Sequence, residues 1–317
     1  MDNLTHSLVG LMLARAGLEK TTPHGTAMMV LAANAPDIDA VFWFSGPQTY
    51  LEWHRSYPHA LLFTPLVALL PMLLARVRFS WASFGASLIG VLSHLLLDWT
   101  NAYGIPLALP FSWYRFRLDI ANVFDVWIWA ILLGSVVVMA LARRAHLGNR
   151  RKWACASLAV LLVFEGARWA AHTRAIKLMS ARLYEGAAPL RVTALPGAFN
   201  PWAWRGVVER RSLTQPGLTE GGIVIILPVD IVNGLGTGRL YRIAPPIPAM
   251  DAALRTGPFQ VFSHWSQLPF WKVTPVAEGL RLDLFDLRFG NPDRPSFTTV
   301  SAIVDRSGKV IRAGFGI

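Results

Sequence analysis

Residues 81–99 read WASFGASLIGVLSHLLLDW, nineteen positions with one formally charged side chain, Asp98. A helix needs about 20 mostly apolar residues to cross the hydrocarbon core of a bilayer. The stretch therefore predicts a membrane-crossing helix, and this reading sets the fold class. It also carries His94 and Asp98, four residues apart. On a helix that spacing puts both side chains on one face, about 6 Å apart, which suits two ligands of one metal ion or of adjacent ions. The plain alternative is an Asp that caps the helix end and a His that bonds a neighbouring carbonyl.

Working outward, stretches near 60–77, 124–143 and 153–172 are of similar character. Two weaker ones lie near 6–18 and 26–44, the second interrupted by Asn34, Pro36, Asp37 and Asp39. The whole chain is 53% hydrophobic and 15% charged, against about 25% charged in ordinary globular chains. Residues 1–172 are thus expected to form an α-helical polytopic membrane bundle.

Beyond residue 172 the pattern changes. GIVIILPVDIV (222–232), FQVFSHW (259–265), FWKVTPV (270–276), LRLDLFDLRF (280–289) and the final stretch from Phe297 are rich in β-branched and aromatic residues. Pro and Gly separate them, the punctuation of strands. VDRSGKVIRAG suggests a hairpin turning at Ser307-Gly308. Residues 173–317 are expected to form a soluble, mostly antiparallel β-rich domain.

The net charge of +11 divides as +4 over residues 1–172 and +7 over 173–317. No basic stripe interleaved with aromatics and no nucleic-acid fold motif accompanies it, so nucleic acid is set aside as a partner. Cationic loops against anionic lipid account for the excess. The single cysteine, Cys155, excludes an intrachain disulfide and a Cys-based zinc site. The start, MDNLTHSLVG, lacks the basic opening of a signal peptide and is expected to be retained.

Lys and Arg in the loops orient the bundle. Arg143, Arg144, Arg150, Arg151 and Lys152 crowd one loop, which is assigned to the cytoplasm together with Arg15, Lys20, Arg76 and Arg78. Segments 45–59 and 100–123 then face outward, as does the C-terminal domain. With that orientation His6, Asp37, Asp39, His54, His59, His94, Asp98 and Asp119 gather on the outer side. Ionisable residues in membrane segments are costly and mark function. Asp37 and Asp39 flank one residue; in an extended segment they would point opposite ways. His54 and His59 form a loop pair around Pro58. His6 reads as a residue following Thr5 at a helix N-cap, and Asp125 as a helix start favoured by the dipole. Without cysteine, the donors suit Zn²⁺, with Mn²⁺ or Mg²⁺ as alternatives. Their number suggests two or three ions.

The motifs THSLVG, APDIDA, HRSYPHA and SHLLLDWTNAYG occur in that order over roughly residues 1–145. In this they resemble the YdjM-type family of inner-membrane proteins described as metal-dependent hydrolases. FNPWAWRGVVE and FDLRFG look like segments of longer members. The resemblance implies metal-site roles for His6, Asp37, His54, His59, His94 and Asp98, and a multi-pass inner-membrane location. Where the family more often has Thr-His-Ser after the His-Arg pair, this chain has Tyr57-Pro58-His59-Ala60. The His-x3-Asp helix is also similar to that of zinc-dependent phospholipases C.

The reading is a metal-dependent hydrolase at the outer face of the inner membrane. Asp39 or Asp119 would take the proton of water, and Arg55, Arg115 or Arg117 would hold a phosphate. A membrane lipid or other amphiphile is the expected substrate. A non-enzymatic module that senses metal or docks a partner is the second class, and a transporter the third. A transporter needs polar residues spread through the membrane depth, whereas these gather at one face.

Overall fold

The computed structural model describes residues 1–146, 149–211, 222–293 and 299–316. Phe297, Thr298 and Ile317, which belong to the final stretch read as strands, lie outside the described residues.

Two compact units emerge. One comprises Met1–Val41, His54–His172 and Pro196–Trp202; the other comprises Phe42–Trp53, Thr173–Leu195 and Ala203–Ile317.

The first unit is helical. Its main elements are α1 (Asn3–Arg15), α2 (Gly25–Ala32), the short α4 (Thr64–Val67) and α5 (Leu69–Leu74), α6 (Trp81–Thr100) and α7 (Val126–Arg144). The helix α8 (Arg150–Ser180) supplies its residues up to His172, and α3 (Pro47–Trp53) belongs to the second unit. A 3₁₀ helix covers Ala35–Ser45. Among the described residues, three helices, α6, α7 and α8, are long and apolar enough to cross a membrane, or up to five candidate spans if each of two bent pairs counts as one.

The expected span at 60–77 is one arm of such a bent pair and not a single straight helix. Pieces Pro47–His59 and Leu61–Leu74 meet at 60°. Pro65 lies in the first turn of α4 and Pro71 within α5. The bend falls at Ala60, whose backbone is extended (φ -92°, ψ 140°), while the prolines, which lack the N–H that would continue a preceding turn, keep α4 and α5 short. Likewise 26–44 is two pieces bent by 53°, with Pro36 after the break.

Leu8, Val9 and Met12 of α1 pack with Leu97 of α6, Ile128 and Leu132 of α7 and Leu161 of α8. Met28 and Met29 of α2 pack with Met72 and Ala86. Two glycines allow backbones to meet. A Cβ at Gly10 would lie 2.7 Å from the carbonyl oxygen of Met29, and one at Gly90 would lie 2.6 Å from the Cβ of Ala32. Gly10 is one turn from His6 and Gly90 one turn from His94, so the tight crossings on α2 sit directly beside those histidines.

The second unit holds two antiparallel sheets. The first contains β1 (Arg191–Pro196), β2 (Ala203–Arg211), β3 (Gly222–Asp230), β4 (Gly234–Leu235) and β5 (Arg239–Arg242), in the order β1-β2-β3-β4 with β5 also on β3. The second is the meander β6 (Pro269–Val276), β7 (Gly279–Asp286), β8 (Thr299–Asp305) and β9 (Val310–Phe315). The turn after Asp305 is held by its carboxylate, which accepts from the backbone of Ser307 at 2.8 Å and of Lys309 at 2.9 Å.

FQVFSHW is not a strand. It forms α10 (Gly257–Trp265), preceded by α9 (Pro248–Leu254). Pro258 sits in the first turn, where its missing N–H costs nothing. Phe259, Phe262 and Trp265 recur on one face and are buried. Beside them the Asp286 carboxylate and Arg288 guanidinium pair at 2.9 Å with both side chains fully buried. Arg205 of β2 donates to the carbonyls of Leu287 at 2.7 Å and Arg288 at 2.6 Å, tying the two sheets together.

Candidate metal centre

All the histidines and aspartates that the sequence offered as ligands come from the first unit. Asp2, not Thr5, caps α1: its carboxylate accepts from the Thr5 backbone at 3.0 Å and hydroxyl at 2.6 Å. The indole of Trp129 also donates to it, at 3.1 Å. This anchored start turns His6 inward. His94 and Asp98 lie one turn apart on α6, with His94 Nε2 3.4 Å from Asp98 Oδ2. Asp98 does not cap that helix, which runs to Thr100 with Asn101 as its C-cap. The APDIDA segment is 3₁₀-helical rather than extended, so Asp37 and Asp39 serve neighbouring parts of one cluster.

Asp37, His59, His94 and Asp98 place one donor atom each within 4.8 Å of one another. The separations are specific. His59 Nε2 lies 3.2 Å from His94 Nε2, 3.4 Å from Asp37 Oδ1 and 3.5 Å from Asp98 Oδ2. His94 Nε2 lies 3.6 Å from Asp37 Oδ1. Zinc bound tetrahedrally at about 2.0–2.1 Å requires donors about 3.3–3.4 Å apart. Five edges of the donor set, from 3.2 to 3.6 Å, match that figure. His59, His94 and Asp98 are 0% exposed. Neither Asp37 Oδ1 nor Asp98 Oδ2 makes a hydrogen bond. Buried carboxylate oxygens left in that state are costly, and a cation among the four donors removes the cost. The residues fit a metal ion.

The outer contacts fit as well. A metal-binding imidazole ordinarily donates its other nitrogen to a carbonyl or carboxylate. His94 Nδ1 meets the carbonyl of Ala33 at 2.8 Å, and His59 Nδ1 lies 3.3 Å from Asp39 Oδ2, close to it but outside hydrogen-bond geometry. The carbonyl bond foreseen as the plain alternative for His94 is therefore present, and it leaves Nε2 facing the donors. Asp39 further meets His54 Nδ1 at 2.8 Å and accepts from the Arg55 backbone at 2.9 Å. Asp37, Asp39 and His54 form a second potential group sharing Asp37. His6 stacks on His94 with ring centroids 3.7 Å apart and planes at 17°. Its Nε2 lies 3.5 Å from Asp98 Oδ1, and neither of its nitrogens makes a hydrogen bond.

The other sequence candidates are placed differently. Arg55 is buried, with Nη2 2.9 Å from Asp98 Oδ1. Arg115 is buried, donates to the Gly104 carbonyl at 3.4 Å and approaches the ring of Tyr103. Arg117 and Asp119 pair with each other at 2.5 Å. Asp125 caps α7 through the backbones of Trp127 and Ile128. Sequence reasoning passed over Asn101. Its amide donates to Asp98 Oδ1 at 3.2 Å and its oxygen accepts from Tyr103 N at 2.8 Å. An Asn directly after an Asp-bearing helix turn was the available signal.

A family model described as YdjM inner membrane protein matches residues 1–175. The chain is 23% identical over 314 residues to the uncharacterized protein YfhP of Bacillus subtilis (strain 168), covering 95% of this chain and 90% of that one. It is 32% identical over 109 residues to the inner membrane protein YdjM of Escherichia coli (strain K12), covering 31% of this chain and 54% of that relative, about half its length. No solved structure matches.

Proposed function

The chain belongs to the YdjM inner membrane protein family, and from that premise and the geometry of its donors we propose that it is a multi-pass, membrane-bound, metal-dependent hydrolase. The observation that carries the proposal is the set of donor separations, 3.2 to 3.6 Å, around Asp37, His59, His94 and Asp98. Zn²⁺ suits it best. Octahedral Mg²⁺ at about 2.0–2.1 Å would bring adjacent donors to about 2.9 Å, closer than any edge here. A bound divalent ion lowers the pKa of water and polarises an ester or phosphoryl oxygen.

The chain's own residues hold and orient the donors. Asp39 sits behind both His54 and His59, a positioning contact. Asp37 is the least buried of the four donors, so substrate would approach from its side. Exposed Tyr57, Leu61 and Leu62 flank His59, and exposed Phe111, Trp113 and Tyr114 lie in the loop after α6. Tyr57 and Trp113 rings meet at 6.1 Å. Aromatic residues of this kind favour the membrane–water interface, which supports a lipid headgroup or other amphiphile as substrate. Arg76 and Arg78 precede α6 while His94 and Asp98 close it, and twenty helical residues span about 30 Å. The positive-inside rule then favours the outer face for the donors.

A second reading rests on one observation. Four side-chain donors complete a tetrahedron, and closed four-ligand zinc sites are commonly structural. On this reading the chain is a metal-sensing or partner-docking module. Zinc-loaded protein in liposomes, offered lipid phosphodiesters and carboxylic esters, separates the two. Turnover that vanishes in Asp98→Asn, with the variant still membrane-inserted, is the expected result. Full zinc occupancy without turnover on any of these substrates would leave the second reading standing.

A further inference from the structure

Asp98 has two sides. Its Oδ2 faces His59 and His94, at 3.5 and 3.4 Å from their Nε2 atoms. Its Oδ1 faces Arg55 Nη2 at 2.9 Å and Asn101 Nδ2 at 3.2 Å, and the amino group of Met1 also touches it. Arg55 is fixed from several directions. Its guanidinium lies 4.6 Å from the ring centre of Tyr103 and donates to Asn101 Oδ1 and the Met1 carbonyl, each at 3.4 Å. Its backbone stands in the left-handed region, φ 56°. Such strain in a non-glycine residue persists where surrounding contacts enforce it. Here the Arg55 N–H donates to Asp39 Oδ2 at 2.9 Å.

We propose that Arg55 is the positioning residue of the centre: its guanidinium holds Asp98 Oδ1, so that Oδ2 alone is presented to the space shared with Asp37, His59 and His94, while its backbone N–H holds Asp39 behind His59. The inference rests on the metal reading above. It moves Arg55 from the substrate-phosphate role that the sequence suggested to the inner wall of the site, where its side chain is 3% exposed. An unrestrained carboxylate can offer a cation either oxygen or both. A planar guanidinium, pre-organised for carboxylate geometry, removes that freedom. It also offsets one of three carboxylates, Asp37, Asp39 and Asp98.

The test uses full-length protein in detergent, stripped of metal and titrated with Co²⁺, whose visible absorption is strong when four-coordinate and weak at higher coordination. Wild type should absorb strongly. Arg55→Gln should absorb several-fold less, as both oxygens of Asp98 become available, and should bind Co²⁺ about 10–100-fold more weakly, the range for loss of an outer contact. Arg55→Lys, which keeps the charge without the fork, should fall between. A spectrum and affinity in Arg55→Gln equal to wild type overturn the proposal. If Arg55→Gln does not accumulate in the membrane, Arg55→Lys decides, and a wild-type spectrum there overturns it equally. His94→Gln serves as the separate check. Wild type that binds no Co²⁺, or His94→Gln that binds it unchanged, overturns the metal reading itself.

Discussion

The Nε2 atoms of His59 and His94 face each other at 3.2 Å, from positions 35 residues apart in the chain. Two imidazole nitrogens at that distance, with a carboxylate oxygen of Asp37 and one of Asp98 beside them, form a donor set that suits a cation between them. Protein purified in detergent should therefore carry about one divalent ion per chain. His59→Gln and His94→Gln should each lower metal affinity at least about 100-fold, because an imidazole donor is lost outright. Asp98→Asn should do the same while preserving size. Elemental analysis of the membrane-extracted variants is the check, and full occupancy in all three would end the metal-site reading.

Asp39 tests the difference between holding a donor and being one. It contacts His54 and His59 through their Nδ1 atoms. Asp39→Asn should cost about 10–100-fold in metal affinity, less than Asp37→Asn. Competition against a chromophoric chelator ranks the two. A larger loss at Asp39 than at Asp37 would make Asp39 a ligand.

Two glycines on α6 should behave oppositely. Gly90 has no room: a Cβ meets Ala32 at 2.6 Å. Gly90→Val should push α6 from α2, with the 1–3 kcal/mol cost typical of overpacking, and should displace His94 enough to weaken metal binding. Gly85 has nothing within 4 Å, and Gly85→Ala should be stabilising by about 0.5–1 kcal/mol through helix propensity. Thermal unfolding in detergent reads both. Equal behaviour of the two variants would contradict the close crossing.

In the second unit, burial would raise the pKa of Asp286, but the charge of Arg288 and hydrogen bonds from Arg288 and Ser266 outweigh it and hold the carboxyl down to about 2. A carboxylate whose folded pKa lies below its unfolded value near 3.8 stabilises the fold above that unfolded value. Its contribution disappears as pH falls through the folded one. Roughly 2 kcal/mol should thus be lost between about pH 4 and pH 2. Tryptophan fluorescence during acid titration follows it, since Arg288 lies 4.7 Å from the centre of the Trp265 ring. Asp286→Asn should lower stability at neutral pH and flatten this acid limb. An unchanged limb would assign it to other carboxylates.

Orientation can be read directly. A reporter active only in the cytoplasm, fused at the C-terminal end, should stay silent. The basis is the loop with Arg143, Arg144, Arg150, Arg151 and Lys152 followed by the single long helix α8. A bright signal would reverse the outer-face assignment of both the donors and the second unit.

How far the sequence carried is best seen residue by residue. His94 and Asp98 were legible because helical spacing fixes their face before any packing is known. The helices at 81–100 and 126–144 were legible from length and polarity alone. The broken path through 60–77 was not, because composition hides what Pro65 and Pro71 do to the backbone. FQVFSHW misled because β-branched and aromatic residues suit a buried helix face as well as a strand. The side of the cluster on which Asp37 and Asp39 act depended on the 3₁₀ turn. The commitment of Arg55 to Asp98 depended on a contact 43 positions away, which no local pattern encodes. The passage of residues 42–53 into the second unit is likewise a tertiary fact.

The complete burial of His59, His94 and Asp98 bears on time rather than on affinity. With three of four donors shut off from solvent and Asp37 alone partly open, an ion held there would have to be released by those three donors together, a step that an opening equilibrium of the bundle would limit. Stripping by a chelator should then reach a limiting rate that further chelator does not increase. That limit should rise in Gly90→Val. The lifetime of the bound ion thereby becomes a clock for the breathing of α2 against α6.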